Sequence, residues 1–324
     1  MKRPMLTALT VFGIAFGISS ASFAAVPFPS RPIRIVVNTA PGGLLDFTIR
    51  LVAKEMGANL KQSVIIENRA GGDGLIGINV TKLAPADGYT LLGSAGTMAF
   101  QQVIREDPGY DLTRDFTGVG FVGRSPFLVV VSPEQPDKTL KDFVIRAKNH
   151  PNTLSYGSAG VGTAPHFAAA LFNQKAGLQL LHVPYKGNGP AMPDVMSGRV
   201  NMIFDAYSSS RGYLTAGKLK ALAVTSTGRI SALPNVPTLA EEGVPGYSYY
   251  TWMGLVAPAG TPKEIVQRLS EALKSAMSNK ELAARLNGEG IETPHMSTAE
   301  FNEFLAKEVS QTRKLVTDLK LPKQ

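Results

Sequence analysis

IVVNTAPGGLLD, residues 35–46, carries an apolar strand through a Pro-Gly-Gly turn and straight into a helix. Such a turn sets backbone N–H groups at a helix N-terminus, where donors without an intrahelical partner and the positive end of the helix dipole favour an anion. The stretch therefore reads as a carboxylate cradle. Two later stretches repeat the arrangement: YTLLGSAGTMA at 89–99 and LSYGSAGVGTAPHF at 154–167 each set Gly-Ser-Ala-Gly after a strand and before an apolar helix. One such turn is how any α/β chain rounds a corner. Its recurrence points to turns that converge on one small acidic molecule.

The first 24 residues pair a basic start (Lys2, Arg3) with an apolar run from Met5 to Ile18 and a small-residue end at Ser22-Phe23-Ala24. This is the pattern of a secretory signal peptide, residues 1–24, cleaved after Ala24. The alternative, an uncleaved anchor, has an apolar core on the short side of the roughly 20 residues that span a bilayer. Loss of Lys2 and Arg3 would lower the formal charge from +8 to +6. The remaining 300 residues of the 324 exceed one ordinary domain and suggest two α/β lobes. No cysteine is present, so neither disulfides nor thiol chemistry enter. The four histidines (His150, His166, His182, His295) lack ligand spacing, which argues against a metal site. Lys and Arg are dispersed rather than clustered, which favours a small acidic ligand over nucleic acid.

Along the chain, short apolar strands alternate with helices, so a mainly parallel sheet covered on both faces is expected. The pattern restarts at FVGRSPFLVVV (121–131), and after a Pro- and Gly-rich passage it returns through YYTWMGLVAPAG (249–260) to two amphipathic helices. Thr139 with Asp142, and Ser297 with Glu300, have capping-box spacing, and Thr261-Pro262 is expected to open a helix with Thr261 as its cap. These restarts divide the chain into a first lobe of 25–122 plus 249–324 and a second of 123–248, joined by two crossings that form a hinge.

Several motifs fail on their chemistry. Gly72-Asp73-Gly74-Leu75-Ile76-Gly77 fits G-x-G-x-x-G, but the next strand ends in Gly93-Ser94 rather than in the acidic residue that would hold a ribose, so no nucleotide cofactor is expected. Gly212 to Leu219 resembles a phosphate loop only up to Gly217-Lys218. Ser158 and Ser94 sit on sharp turns, yet Tyr156 and Leu92 stand where a nucleophile elbow needs glycine.

The segments RPIRIVV (31–37), APGGLLD (40–46), VIIENRAGG (64–72), GLIGINV (74–80), PADGYTLLGSAGT (85–97), YDLTRDF (110–116), LSYGSAGVGTAPH (154–166), VPYKG (183–187), FDAYSSS (204–210), GKLKALAVTS (217–226), LPNVPTLAEEGVPGY (233–247) and WMGLVAPAGTP (252–262) occur in family order. By them the chain resembles, over nearly its whole mature length, the periplasmic receptors of tripartite tricarboxylate transporters, the Bug family. The resemblance implies an α/β fold of the type II periplasmic binding kind, two lobes closing on an organic carboxylate without covalent chemistry, a monomer that delivers its ligand to membrane permease subunits. It assigns the ligand to Gly42, Gly43 and Asp46 on one side and Ser158, Ala159, Gly162 and Thr163 on the other, with Ser94, Thr97 and Asp205 in second rank. The alternative role for Asp46 is to stabilise the first helical turn.

The departures bear on specificity. Asn38-Thr39 stands where the family usually reads Pro before an aromatic residue, Leu45 replaces a small or hydroxylated residue, and Ala206-Tyr207-Ser208 replaces Asn-Leu-Pro, with Arg211 close by. Thr39 would widen the site, Tyr207 would offer a stacking face and Arg211 a second carboxylate contact, so an aromatic carboxylate is the expected ligand. Two other classes stay open on these residues: a secreted hydrolase or transferase using Ser158 or Ser94, and a ligand sensor for a signalling partner.

Overall fold

The computed structural model describes residues 27–319, 321 and 323; the expected leader, residues 1–24, lies outside them. In chain order the elements are β1 (Ile33–Val37), α1 (Leu44–Leu60), β2 (Val64–Asn68), a 3-10 turn (Gly72–Gly74) leading into α2 (Leu75–Lys82), β3 (Thr90–Ala95), α3 (Thr97–Ile104) and β4 (Phe116–Val131). There follow α4 (Leu140–Asn149), β5 (Ser155–Ser158), α5 (Ala164–Ala176), β6 (Leu181–Pro184), α6 (Asn188–Met196), β7 (Met202–Ala206), α7 (Tyr207–Thr215) and β8 (Lys220–Val224). The last elements are β9 (Tyr250–Pro258), α8 (Lys263–Met277), α9 (Lys280–Gly288) and α10 (Thr298–Asp318).

The strands follow the order β2-β1-β3-β9-β4-β7-β5-β6, with β8 also on β4. β1, β2 and β3 are mutually parallel, as are β5, β6 and β7, while β9 and β4 run antiparallel to their neighbours. The sheet is thus mixed at its centre. The reason is β4: its first eleven residues, Phe116 to Pro126, pair with β9, and from Phe127 onward it pairs with β7 and β8. Two register shifts, at Gly118/Gly120 and Phe121/Gly123, add the twist that lets one strand leave one half-sheet and enter the other.

Both half-sheets are covered on both faces, as the unbroken apolar runs of β1 and of the second part of β4 require. In the first half, Ile33, Ile35 and Val37 of β1 pack with Ile49, Val52 and Met56 of α1 and Leu269 of α8, and Val36 joins Ile78, Met98 and Phe301 on the opposite face. In the second half, Phe143, Phe167, Phe172 and Phe204 fill one face, and Ala191, Val195, Ile203 and Val224 the other. The capping boxes at Thr139/Asp142 and Ser297/Glu300 form as their spacing requires. Thr261 does not cap α8: Pro262 takes that position, and the Thr261 hydroxyl donates to Pro258 O instead. α7 begins at Tyr207, directly after β7.

Two helices belong to neither half alone. α10 sets Phe301 and Leu305 in the first half's core, whereas Val316 joins the second half's cluster and Asp318 O accepts from Gln174. From α3, Phe100, Val103 and Ile104 also enter that second cluster, where Phe100 stacks on Phe167 with ring centroids 3.8 Å apart. Among the described residues no helix is long and apolar enough to cross a membrane.

Close packing of α10 on β4 and β9 depends on small residues. A Cβ on Gly254 would overlap the Phe301 ring and lie 3.1 Å from Gly120 O. Gly254→Val should therefore destabilise the fold by about 1–3 kcal/mol, read as a lower urea midpoint at unchanged slope, while Gly189→Ala, which meets no neighbour, leaves the midpoint in place.

Candidate functional site

Parallel strands present all their carboxyl ends at one edge, and ligands of open α/β sheets lie outside that edge. Here the carboxyl-end turns of the two halves face each other. Gln101 Nε2 approaches Val161 O and Gly162 O at 3.5 and 3.4 Å, and a Cβ on Gly160 would lie 3.4 Å from Asp73 Oδ1. Behind that contact, Gly187 N donates to Ala159 O and Tyr185 N to Ser158 O, which sets the turn after β6 beside the turn after β5.

The helices that start at this gap share a property. α4, α9 and α10 each have a side-chain N-cap, whereas α1, α2, α3, α5, α6 and α7 have none. α8, which also lacks one, starts elsewhere, after β9. Six first turns without a side-chain acceptor concentrate donors and positive dipole ends where the two halves meet.

In the first half, Gly42 and Gly43 form the Pro-Gly-Gly turn, and Gly42 N donates to Asp46 Oδ2 at 2.9 Å. Asp46 also accepts from Arg50 and from Asn68 Nδ2. Burial alone would push its carboxyl up, but these bonds outweigh burial and hold it below the usual carboxylate range. Asp46 is thus engaged in shaping the turn. Thr39 Oγ1 is buried with no hydrogen-bond partner among the described residues. Ser94 is fully buried and donates to Met98 Sδ, which turns it away from the gap, while Thr97 occupies the first turn of α3. Gly74 and Gly77, which completed the apparent dinucleotide motif, are glycines for another reason: a Cβ on either would collide with Asn38, at 2.7 Å from its Nδ2 and 2.8 Å from its Cβ respectively.

In the second half, Thr163 caps α5 without a side-chain bond to it, its hydroxyl donating to Gly160 O. Ser158 Oγ accepts from Gly160 N and bonds His182 Nε2 at 2.6 Å, and Gly162 N donates to His166 Nδ1. His166 and His182 stack with centroids 4.2 Å apart, and Tyr156 stacks on His182. Asp205 accepts from Asn188, Ser209 and Ser210; burial pushes its carboxyl up against those bonds. The Tyr207 Cβ lies beside Gly290, and Arg211 pairs with Glu289. Asp46, Ser94, Ser158 and Asp205 each already have an oxygen bonded within the chain.

Asn38 and Ser208 enter the sequence reading only as departures from the family pattern, and Gln101, His182 and Asn188, which the structure brings to these turns, are not among its site candidates. The turn at Pro184-Tyr185-Lys186-Gly187 is a further strand, glycine turn and helix, and that recurrence was the available signal for Asn188. No pattern signalled His182, which reaches Ser158 across neighbouring parallel strands.

Burial brings His166 and His182 each down to about 4, and the neighbouring His182 lowers His166 further. Both are therefore neutral when folded, and the unfolded chain takes up their protons first, near the ordinary value of 6.5. Their contribution to stability is complete above pH 6.5, falls as pH drops toward 4 and is flat below. Urea midpoints across that range should decline in the parent and decline less in the His166→Asn/His182→Gln variant.

A family model described as the tripartite tricarboxylate transporter family receptor matches residues 48–321. The UPF0065 protein in the tcbD-tcbE intergenic region of Pseudomonas sp. (strain P51) is 35% identical, covering 95% of this chain and 93% of its own length. Protein BugT of Bordetella pertussis is 30% identical over 95% of this chain and 94% of its own. A solved structure of an R. palustris protein with adipate matches with a TM-score of 0.87 at 32% identity, over 92% of this chain and all of that one. The chain belongs to the tripartite tricarboxylate transporter receptor family, the Bug family of periplasmic solute-binding proteins.

Proposed function

We propose that the chain captures an organic carboxylate between its two halves and delivers it, unchanged, to the membrane permease subunits of a tripartite tricarboxylate transporter. One observation carries this reading: six helices without side-chain caps begin at the facing carboxyl-end turns, a donor-rich, positively polarised gap suited to an anion. The adipate held by the R. palustris relative is consistent with it. Export by cleavage of residues 1–24 would place the receptor in the periplasm.

In this reading the lobes are 25–122 with 249–324, and 123–248, with α10 lying across both. The hinge is the pair of crossings at Ser125 to Phe127 and Tyr249 to Tyr250. Thr225 Oγ1 ties them, accepting from Phe127 N and donating to Tyr249 O, both at 2.7 Å. Gly42, Gly43, Thr39 and Thr97 face the ligand from one side, and Ala159, Gly162 and Thr163 from the other. The hydrolase alternative has little to support it, since Ser158 Oγ is fully buried and bonded to the turn it would have to leave.

Gly162 has φ +73°, and a Cβ there would lie 2.9 Å from Gln101 Nε2. Gly162→Leu should hold the halves apart and weaken binding by at least about tenfold for whichever acid a thermal-shift screen of mono-, di- and tricarboxylates identifies, with circular dichroism unchanged. In that screen a true ligand at 100 times its dissociation constant adds about 2.7 kcal/mol to apparent stability. Unchanged affinity in the variant would reduce the turn to a structural corner.

Opening requires Phe100 to leave Phe167 and Gln101 to leave the 161–162 carbonyls. Small-angle scattering should show a smaller radius of gyration with saturating ligand than without it. Identical profiles would remove the hinge from the account.

A further inference from the structure

Seven buried side-chain polar atoms lack a hydrogen-bond partner among the described residues, and five of them lie on the facing turns: Asn38 Nδ2 and Oδ1, Thr39 Oγ1, Asn188 Oδ1 and Ser208 Oγ. A buried polar group left unpaired is costly, so such a concentration marks where a ligand completes the bonding. A run of contacts connects the residues that carry them. Asn38, only 3% exposed, packs on Gly74 and Gly77, next to Asp73, which reaches Gly160; Gly160 lies against Tyr185 O, two residues before the Gly187 amide that holds Ala159. Asn188 follows directly, and Asp205, its partner, precedes Ser208 by three residues.

The orientation of Asn188 is fixed by chemistry. Its Nδ2 donates to Phe204 O at 3.0 Å and to Asp205 Oδ1 at 2.7 Å. A flipped amide would set oxygen against a carbonyl and a carboxylate, so Oδ1 must be the free atom, and an amide oxygen can only accept. Asn38 adds a second unpartnered acceptor from the other half. A carboxylate offers acceptors alone and satisfies neither oxygen. Donors are needed from elsewhere on the ligand. A cationic ammonium would also want a carboxylate, but Asp46 is held by Gly42, Arg50 and Asn68, Asp73 by Arg105, and Asp205 by Asn188, Ser209 and Ser210. Neutral hydroxyl donors fit.

We propose that Asn38 and Asn188, one on each side of the gap, select the ligand by accepting hydrogen bonds from its hydroxyl groups, so that hydroxycarboxylates bind in preference to the same skeletons without hydroxyls. This deepens the carboxylate reading and rests on it. Thr39, Ser208 and Asn38 Nδ2 then serve the ligand's own oxygens. A site built to bond a hydroxyl discriminates strongly against the analogue that lacks it, because its buried acceptor stays unpaired.

The test is calorimetry of the mature chain with matched acids: malate against succinate, citrate against tricarballylate, lactate against propionate. At least one hydroxylated member should bind about tenfold or more tighter than its partner. Asn38→Ala and Asn188→Ala should bring that ratio toward one, chiefly by weakening the hydroxylated acid. Asn188→Ala also frees Asp205, so thermal unfolding is measured alongside, and Asn38→Ala, which leaves Asp205 untouched, supplies an independent result if the other variant unfolds. Equal affinity for both members of every pair in the parent, or a ratio that survives in the folded variants, overturns the proposal while sparing the receptor reading. Binding of no carboxylate at all would overturn both.

Discussion

One strand serving two sheets is the constraint from which the rest of this structure follows. β4 needs sixteen residues because its first part completes one half-sheet on β9 and its last part opens the other on β7 and β8. Its partners change from β9 to β7 between Pro126 and Phe127. The same point is tied by Ser125, whose hydroxyl approaches Gly290 O, by Arg124 with Glu292, and by the Thr225 hydroxyl between the two crossings. The halves are thereby joined with their parallel strands pointing at each other.

That geometry turns a generic feature into a specific one. Every βα turn leaves donors at a helix start, but the halves face carboxyl end to carboxyl end, so six such starts share one gap. The polar side chains around them divide by function. Asp46, Asp205, Ser158, His166 and His182 are bonded inward and hold the turns in shape. Asn38, Thr39, Asn188 and Ser208 retain unpartnered atoms. The stacked histidines make the GSAG-x-GT turn sensitive to acid, since a His166 ring protonated on both nitrogens cannot accept the bond that Gly162 N now donates to its Nδ1, and burial disfavours a charge on either ring.

Periodicity and turn chemistry were sufficient for much of the fold. The strand-to-helix alternation, the capping boxes at Thr139 and Ser297 and the apolar stripe of the last helix are local signals, each set by residues within one or two turns of one another. The gap was legible too, through recurrence of a glycine turn after a strand at 40–43, 93–96 and 157–162. The antiparallel course of β9 was not, because pairing direction depends on where the chain returns and no local residue records it.

By itself, the sequence determined which segments are strands and helices, where the anion-favouring turns fall and to which family the chain belongs, because those depend on short-range patterns and on ordered motifs. Only the tertiary structure decided which polar groups are already bonded. Asp46 and Asn188 look equally available in a sequence; one has its oxygens filled by Gly42, Arg50 and Asn68, while the other has its amide hydrogens bonded to Phe204 and Asp205 and its oxygen free. The physical reason is that hydrogen-bond satisfaction is a property of neighbours brought together by the fold: Gly42 and Arg50 are four residues from Asp46, but Asn68 lies 22 residues from it, and Phe204 and Asp205 lie 16 and 17 from Asn188.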